Sequence, residues 1–356
     1  MQWQARMERR LLATLLRLPE GLKRRLAARL EVVDGSGLDE NLRLLLALSG
    51  ARKPLEARSV DGARRFYDHL FSVLDVDPPP LAQKRDHHLA LPGRRLRLRE
   101  YCARSCDSAG PSVLFFHGGG HTIGSVDTYD RLCAFLAREL DLRLLSLDYR
   151  LAPEHPWPAA AEDALETWQW LHRNAAALGL DPRGLAVMGD SAGGNLAAVV
   201  STGAAARGLP APAAQCLIYP ALDLRMNHPS VEHYARGAGL TRDLLDWFIG
   251  NYLPDRSRAA EPLASPLSAE SLAGQPPTVL AVCRDPLRDE GLVYGQRLRD
   301  AGTTVETLDF SGLVHGFAGM GGLVPAARDA LLEICEAFGR MLPSAPGEAA
   351  LETESN

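Results

Sequence analysis

Six residues, Gly189-Asp190-Ser191-Ala192-Gly193-Gly194, constrain the fold of this chain more than any other segment. They follow an apolar run, Leu185-Ala186-Val187-Met188, and open a small-residue stretch, Asn195-Leu196-Ala197-Ala198-Val199-Val200. Strand, sharp turn and helix are thus written in succession around a serine with glycine at minus two and plus two. That is the spacing of a nucleophile elbow, which lifts a serine hydroxyl clear of a sheet. A Cβ at either glycine would crowd a turn held in a strained backbone region. The pattern alone is weak, because glycine-rich chains produce it by chance. A second motif lies 72 residues upstream: His117-Gly118-Gly119-Gly120, directly after the strand-like Val113-Leu114-Phe115-Phe116. Together the two motifs predict acyl transfer.

Composition narrows the alternatives. A chain of 356 residues, 46% hydrophobic, can bury one large core or two small ones. A net charge of −5 and a pI near 6.1 leave no basic surplus for nucleic acid. Of six cysteines, Cys133, Cys216 and Cys283 sit in apolar segments and are expected as buried free thiols. Cys102 and Cys106 are spaced for local pairing and fit no zinc pattern, and the usage as a whole points to a reduced, cytoplasmic setting. The longest uncharged stretches, 108–126 and 310–327, are rich in glycine and interrupted by histidine and proline rather than continuously apolar, so no transmembrane span is expected. Residues 5–30 combine leucines with Arg6, Arg9, Arg10, Arg17, Lys23, Arg24, Arg25 and Arg29, and read as amphipathic helices broken at Pro19-Glu20-Gly21. They suit packing against the domain with arginines in water, or peripheral contact with a membrane surface.

Further helices are expected over 38–75, ending before Pro78-Pro79-Pro80, and a hairpin over 88–101 turning at Pro92-Gly93. Strand candidates follow at 113–116, 143–148, 185–188, 215–219, 278–283 and 304–308. Helices at about 127–140, 159–178, 192–207, 286–301 and 324–341 alternate with them. Such alternation predicts an α/β fold with a mostly parallel sheet covered on both faces. Nearly sixty residues separate the strands at 215–219 and 278–283, more than a crossover helix needs. That insertion is expected to fold over the carboxyl edge of the sheet, where sites of such folds lie.

A serine hydroxyl needs a base to take its proton and a carboxylate to orient the base. Only His315 follows His233, in the turn-like Ser311-Gly312-Leu313-Val314-His315-Gly316-Phe317. Asp285 is the first carboxylate after the strand Thr278–Cys283, with Asp289 and Glu290 as rivals. Pro286 suits a helix's first turn, which carries the rivals onto the helix and leaves Asp285 on the loop. The remaining histidines offer no metal-ligand spacing, and neither metal nor cofactor is expected.

These segments resemble the hormone-sensitive-lipase-like branch of the α/β-hydrolases, chiefly its bacterial carboxylesterases. The resemblance rests on His117–Gly120, Asp148-Tyr149-Arg150-Leu151-Ala152-Pro153-Glu154-His155-Pro156, Gly189–Asn195, Asp285-Pro286-Leu287-Arg288-Asp289-Glu290-Gly291 and His315-Gly316-Phe317. It implies Ser191 as nucleophile, His315 as general base and acid, and Asp285 as the group orienting it. It implies an oxyanion hole from the N–H groups of Gly119, Gly120 and Ala192. Supporting roles fall to His117, Gly118, Asp190 and Glu154, the last bracing the glycine loop. One position departs from the pattern: His121 stands where the family usually has an aromatic residue.

The α/β-hydrolase fold so implied divides the chain into an N-terminal helical extension (1–37), two cap segments (38–80 and 221–255), a catalytic domain (81–220 and 256–342) and a disordered tail (343–356). The implied activity is hydrolysis of short- to medium-chain esters by a small-molecule carboxylesterase. An amidase, deacetylase or lactone-cleaving enzyme could use the same triad. A non-catalytic receptor on the same fold is disfavoured because all three triad residues are present. A homodimer is compatible with an exposed edge strand.

Overall fold

The computed structural model describes residues 2–30, 37–50, 52–104, 110–237 and 239–343. The tail expected to be disordered lies, from residue 344, outside the described residues, as does Cys106. Four helices come first: α1 (Gln2–Leu16), α2 (Glu20–Arg29), α3 (Glu40–Ser49) and α4 (Val60–Leu74). Pro19 separates the first two, at the break read from the sequence. Asp39 caps α3 by accepting from the N–H groups of Asn41 and Leu42, and Ser59 caps α4 through Gly62.

A hairpin follows, β1 (Gln83–Leu91) and β2 (Arg94–Cys102), turning at Pro92-Gly93 with Gly93 at φ 71°. Strands and helices then alternate: β3 (Ser112–Phe116), α5 (Asp130–Glu139), β4 (Arg143–Asp148), α6 (Ala159–Leu178), β5 (Leu185–Asp190), α7 (Ala192–Gly203) and β6 (Gln215–Ile218). The insertion carries α8 (Pro229–His233) and α9 (Arg242–Tyr252). The chain closes with β7 (Thr278–Arg284), α10 (Arg288–Asp300), β8 (Val305–Val314) and α11 (Pro325–Met341).

The eight strands form one sheet in the order β1-β2-β4-β3-β5-β6-β7-β8. β2 runs antiparallel to β1 and β4, and every other pairing is parallel. Side chains of β3 alternate between the two faces, as the two-residue period of a strand requires. Leu114 and Phe116 enter the core beneath α6 and α7, whereas Val113 and Phe115 enter the one beneath α5 and α11. Both faces are covered, so the central strands read as continuous apolar runs rather than alternating ones.

Cys133, Cys216, Cys283 and Cys335 are buried free thiols in the second core, and burial pushes the Cys335 thiol up to about 12. Cys102 is disulfide-bonded.

Several sequence boundaries shift, among them the start of the hairpin, expected at 88 and found at Gln83. The helix expected to 207 ends at Gly203, and a separate short turn occupies Ala205–Arg207. The last strand runs to Val314 rather than 308, passing a register irregularity opposite Cys283 and Arg284. Along 309–312 exposed and half-buried residues alternate, but Ser311-Gly312 reads as a turn in the sequence and hides the strand's continuation.

Candidate active site

Four segments converge at the carboxyl ends of the parallel strands: the glycine loop after β3, Ser191 after β5, Asp285 after β7 and His315 after β8. Ser191 sits at φ 55°, ψ −120°, a region costly for a residue with a Cβ. Its N–H donates to the Ile218 carbonyl at 2.8 Å, and its own carbonyl accepts from Asn195 at 3.0 Å and Ala221 at 3.2 Å. These bonds hold the strained turn. Gly193 is required beneath it, because a Cβ there would overlap the Phe116 carbonyl.

His315 Nε2 lies 2.8 Å from Ser191 Oγ, and its Nδ1 lies 2.6 Å from Asp285 Oδ2. Asp285 is 1% exposed, and its other oxygen accepts from the Leu287 N–H at 3.0 Å. The rivals are engaged elsewhere. Asp289 accepts from the Ser230 N–H at 2.8 Å, and Glu290 accepts from Leu222 at 2.6 Å and Asp223 at 3.2 Å. Both rivals hold the insertion's first segment, and burial raises the Glu290 carboxyl well above the usual range.

Among the described residues, no hydrogen bond uses the N–H of Gly119, Gly120 or Ala192. Ala192 opens α7, so its N–H has no partner within the helix, and the helix dipole adds positive potential there. Gly119 and Gly120 have φ of 109° and 57°, and a Cβ on Gly120 would strike Phe248 of α9.

The neighbours hold this loop in place. Asp190 accepts from the Gly118 N–H at 2.8 Å and the Tyr129 hydroxyl at 3.1 Å, with Tyr219 at 3.4 Å and Tyr67 bonded to Tyr129 at 2.9 Å. Burial raises the Asp190 carboxyl to about 6, although the Tyr129 hydroxyl and Gly118 N–H oppose the shift. His117 turns away from Ser191: its Nδ1 lies 2.8 Å from the Gly118 carbonyl and its ring stacks on Tyr149 at 4.3 Å. The Tyr149 hydroxyl donates to the His117 carbonyl at 2.7 Å. Glu154 lies outside this contact zone and pairs with Arg64 of α4 at 2.7 and 2.8 Å. Arg64 also donates to the carbonyls of Thr122 at 2.9 Å and Ala152 at 3.0 Å, tying α4 to the glycine loop.

Arg64, Tyr67, Tyr129 and Tyr219 carry no motif, and the sequence reading missed them. His121 is buried, stacks on Tyr252 at 3.7 Å, and burial lowers its pKa to about 3. Among the described residues neither of its ring nitrogens has a hydrogen-bond partner. No three His, Cys, Asp or Glu side chains among the described residues are grouped to hold a metal ion.

A serine on a strand-to-helix elbow, with histidine and carboxylate at hydrogen-bond reach and unengaged N–H groups opposite, defines an α/β-hydrolase site. The sequence pattern of the α/β-hydrolase fold family matches residues 113–319, and the chain belongs to that family, in its hormone-sensitive-lipase-like branch. It is similar to the carboxylic ester hydrolase LipN of Mycobacterium tuberculosis, 40% identical over 316 residues, covering 84% of this chain and 82% of that one. It is 35% identical to an ethyl acetate hydrolase of Pseudomonas putida, over 82% of this chain and 93% of the relative. Among solved structures it resembles an alpha/beta hydrolase from the metagenome of Lake Arreo (TM-score 0.82, 34% identity, 86% of this chain and 98% of that chain). It also resembles EstE1, a thermostable carboxylesterase from a metagenomic library (TM-score 0.76, 37% identity, 81% and 99%).

Proposed function

We propose that this protein is a serine carboxylesterase, with Ser191 as nucleophile, His315 as base and acid, and Asp285 orienting His315. The observation that carries the reading is the continuous relay from Asp285 through His315 to Ser191 Oγ, at 2.6 and 2.8 Å, facing the unengaged N–H groups of Gly119, Gly120 and Ala192. His315 Nε2 takes the serine proton as Oγ attacks the ester carbonyl. The oxyanion accepts from the three N–H groups, each worth about 3 kcal/mol where such donors have been removed in other hydrolases. The alcohol leaves with the proton from His315, and water cleaves the acyl-enzyme by the same route. LipN and the ethyl acetate hydrolase, by their names, support ester over amide substrates.

The test is turnover of p-nitrophenyl acetate and butyrate by wild type and Ser191→Ala, with fluorophosphonate labelling in parallel. Serine-dependent turnover is expected, with a drop of at least about 10⁴-fold in the variant. Absence of both turnover and labelling in folded protein overturns the reading.

The helices α3, α4 and α9 line the cavity above Ser191, and we read 38–80 and 221–255 as the two parts of a cap. The extension, 1–37, is proposed to touch anionic membrane surfaces. Trp3, Met7 and Leu11 recur every fourth residue of α1 and are 71%, 48% and 62% exposed, beside the exposed Arg10 and Arg17. Sedimentation with phosphatidylserine-containing vesicles should fall when all three apolar residues become alanine. Equal sedimentation of the variant rules the contact out. No helix among the described residues is long and apolar enough to cross a membrane.

A further inference from the structure

Two cavities meet at Ser191, and they are very unequal. The larger holds about 410 Å³ and runs from Ser191, Gly119 and His315 past Leu45, Leu70 and Phe71 between the first helices. The smaller holds about 30 Å³ and is bounded by Ala192, His121, Leu224, Ile249 and Tyr252. Resting on the esterase reading above, we infer that the small cavity takes the acyl group and the large one the alcohol. The enzyme is then built for short-acyl esters of large apolar alcohols.

The geometry of the tetrahedral intermediate fixes which cavity receives which group. Its carbon carries four groups: Ser191 Oγ, the oxyanion, the alcohol oxygen and the acyl chain. The oxyanion is fixed by the N–H groups of Gly119, Gly120 and Ala192. When the carbon–oxygen bond to the alcohol breaks, its electron pair stays on that oxygen, which receives the proton His315 took from Ser191. The leaving oxygen must therefore sit about 3 Å from His315 Nε2. His315 lines the large cavity and is absent from the walls of the small one. The alcohol thus leaves into the large cavity, and the acyl chain is left with the small one.

The small cavity cannot readily grow. His121 and Tyr252 stack at 3.7 Å along its wall, and the Tyr252 carbonyl accepts from the Trp157 N–H at 2.6 Å. Its volume is room for about two waters, which suits an acetyl or propionyl tail. The large cavity falls within the range of about 300–1,000 Å³ of sites that enclose whole drug-sized ligands.

The test uses two ester series in a pH-stat: ethyl acetate, propionate and hexanoate against ethyl, butyl and octyl acetate. Lengthening the acyl side to hexanoyl should lower kcat/KM about 100-fold, whereas lengthening the alcohol to octyl should raise it about 10-fold. Ile249→Ala should raise the hexanoate-to-acetate ratio and leave the octyl-to-ethyl ratio in place. Leu45→Trp should lower the octyl-to-ethyl ratio alone. Because each variant is read as a ratio within itself, partial loss of folded protein does not mimic the result. A preference for ethyl hexanoate over octyl acetate overturns the cavity assignment while leaving the esterase reading intact. No turnover of either series sinks both.

Discussion

At the scale of single residues, Ser191 and His315 are legible because their chemistry forces special surroundings. A serine on a strained elbow needs small neighbours, and a base after the last strand has few competitors in this chain. Asp285 is preferred over Asp289 and Glu290 in the sequence because Pro286 carries the two rivals onto the following helix. Asp285 alone of the three lies within hydrogen-bond distance of His315, and its rivals accept backbone N–H groups of the insertion. Asp285→Asn should lower kcat about 10³–10⁴-fold by loosening the orientation and charge support of His315, with fluorophosphonate labelling slowed in parallel. Asp289→Asn should cost stability through Ser230 and leave kcat within about threefold of wild type, since its carboxylate only positions backbone. Equal kinetic losses in the two variants would count against Asp285 as the orienting group.

At the scale of elements, the strand and helix alternation was readable because each central strand is apolar on both faces and bounded by turn residues. The bracing of the glycine loop by α4 was not, because Arg64 carries no motif and stands 90 residues from Glu154, whose motif marks a contact with the loop but not the helix that shares it. Their pair is half in water: the side chains are 25% and 52% exposed, so the ion pair itself contributes little. The two bonds from Arg64 to the carbonyls of Thr122 and Ala152 are sheltered and charge-assisted, and they matter more. Glu154→Gln should therefore change kcat/KM less than about threefold. Arg64→Met, which keeps an unbranched apolar stem and loses every donor, should lower it about tenfold, through the misplacement of oxyanion donors that a loosened loop brings. Comparable losses in both variants would move the bracing role from the carbonyl bonds to the ion pair.

At the scale of the whole molecule, two buried groups beside the site set opposing pH dependences of stability. The His121 pKa is lowered from an ordinary value near 6.5 to about 3 by burial. Its contribution is fully present above pH 6.5 and is lost as pH falls toward 3, because the unfolded chain binds the proton first. The Asp190 pKa is raised from 3.8 to about 6, again by burial. The cost of burying that charge is absent below pH 3.8 and complete above 6, so this group makes stability fall as pH rises through the same window. Between pH 4 and 6 the two slopes nearly cancel. Removing one exposes the other. His121→Phe restores the aromatic ring usual at this position and deletes a buried donor that has no hydrogen-bond partner among the described residues. Relative to wild type it should gain about 2 kcal/mol on going from pH 8 to pH 5. Asp190→Asn should show the reverse trend, gaining about 3 kcal/mol relative to wild type between pH 4 and pH 7, on top of a constant loss from its altered bonds to Gly118 and Tyr129. Urea unfolding of the three proteins at pH 4, 5, 7 and 8 checks both slopes. A His121→Phe variant that tracks wild type at every pH would mean that His121 titrates in the folded protein as it does in the unfolded chain.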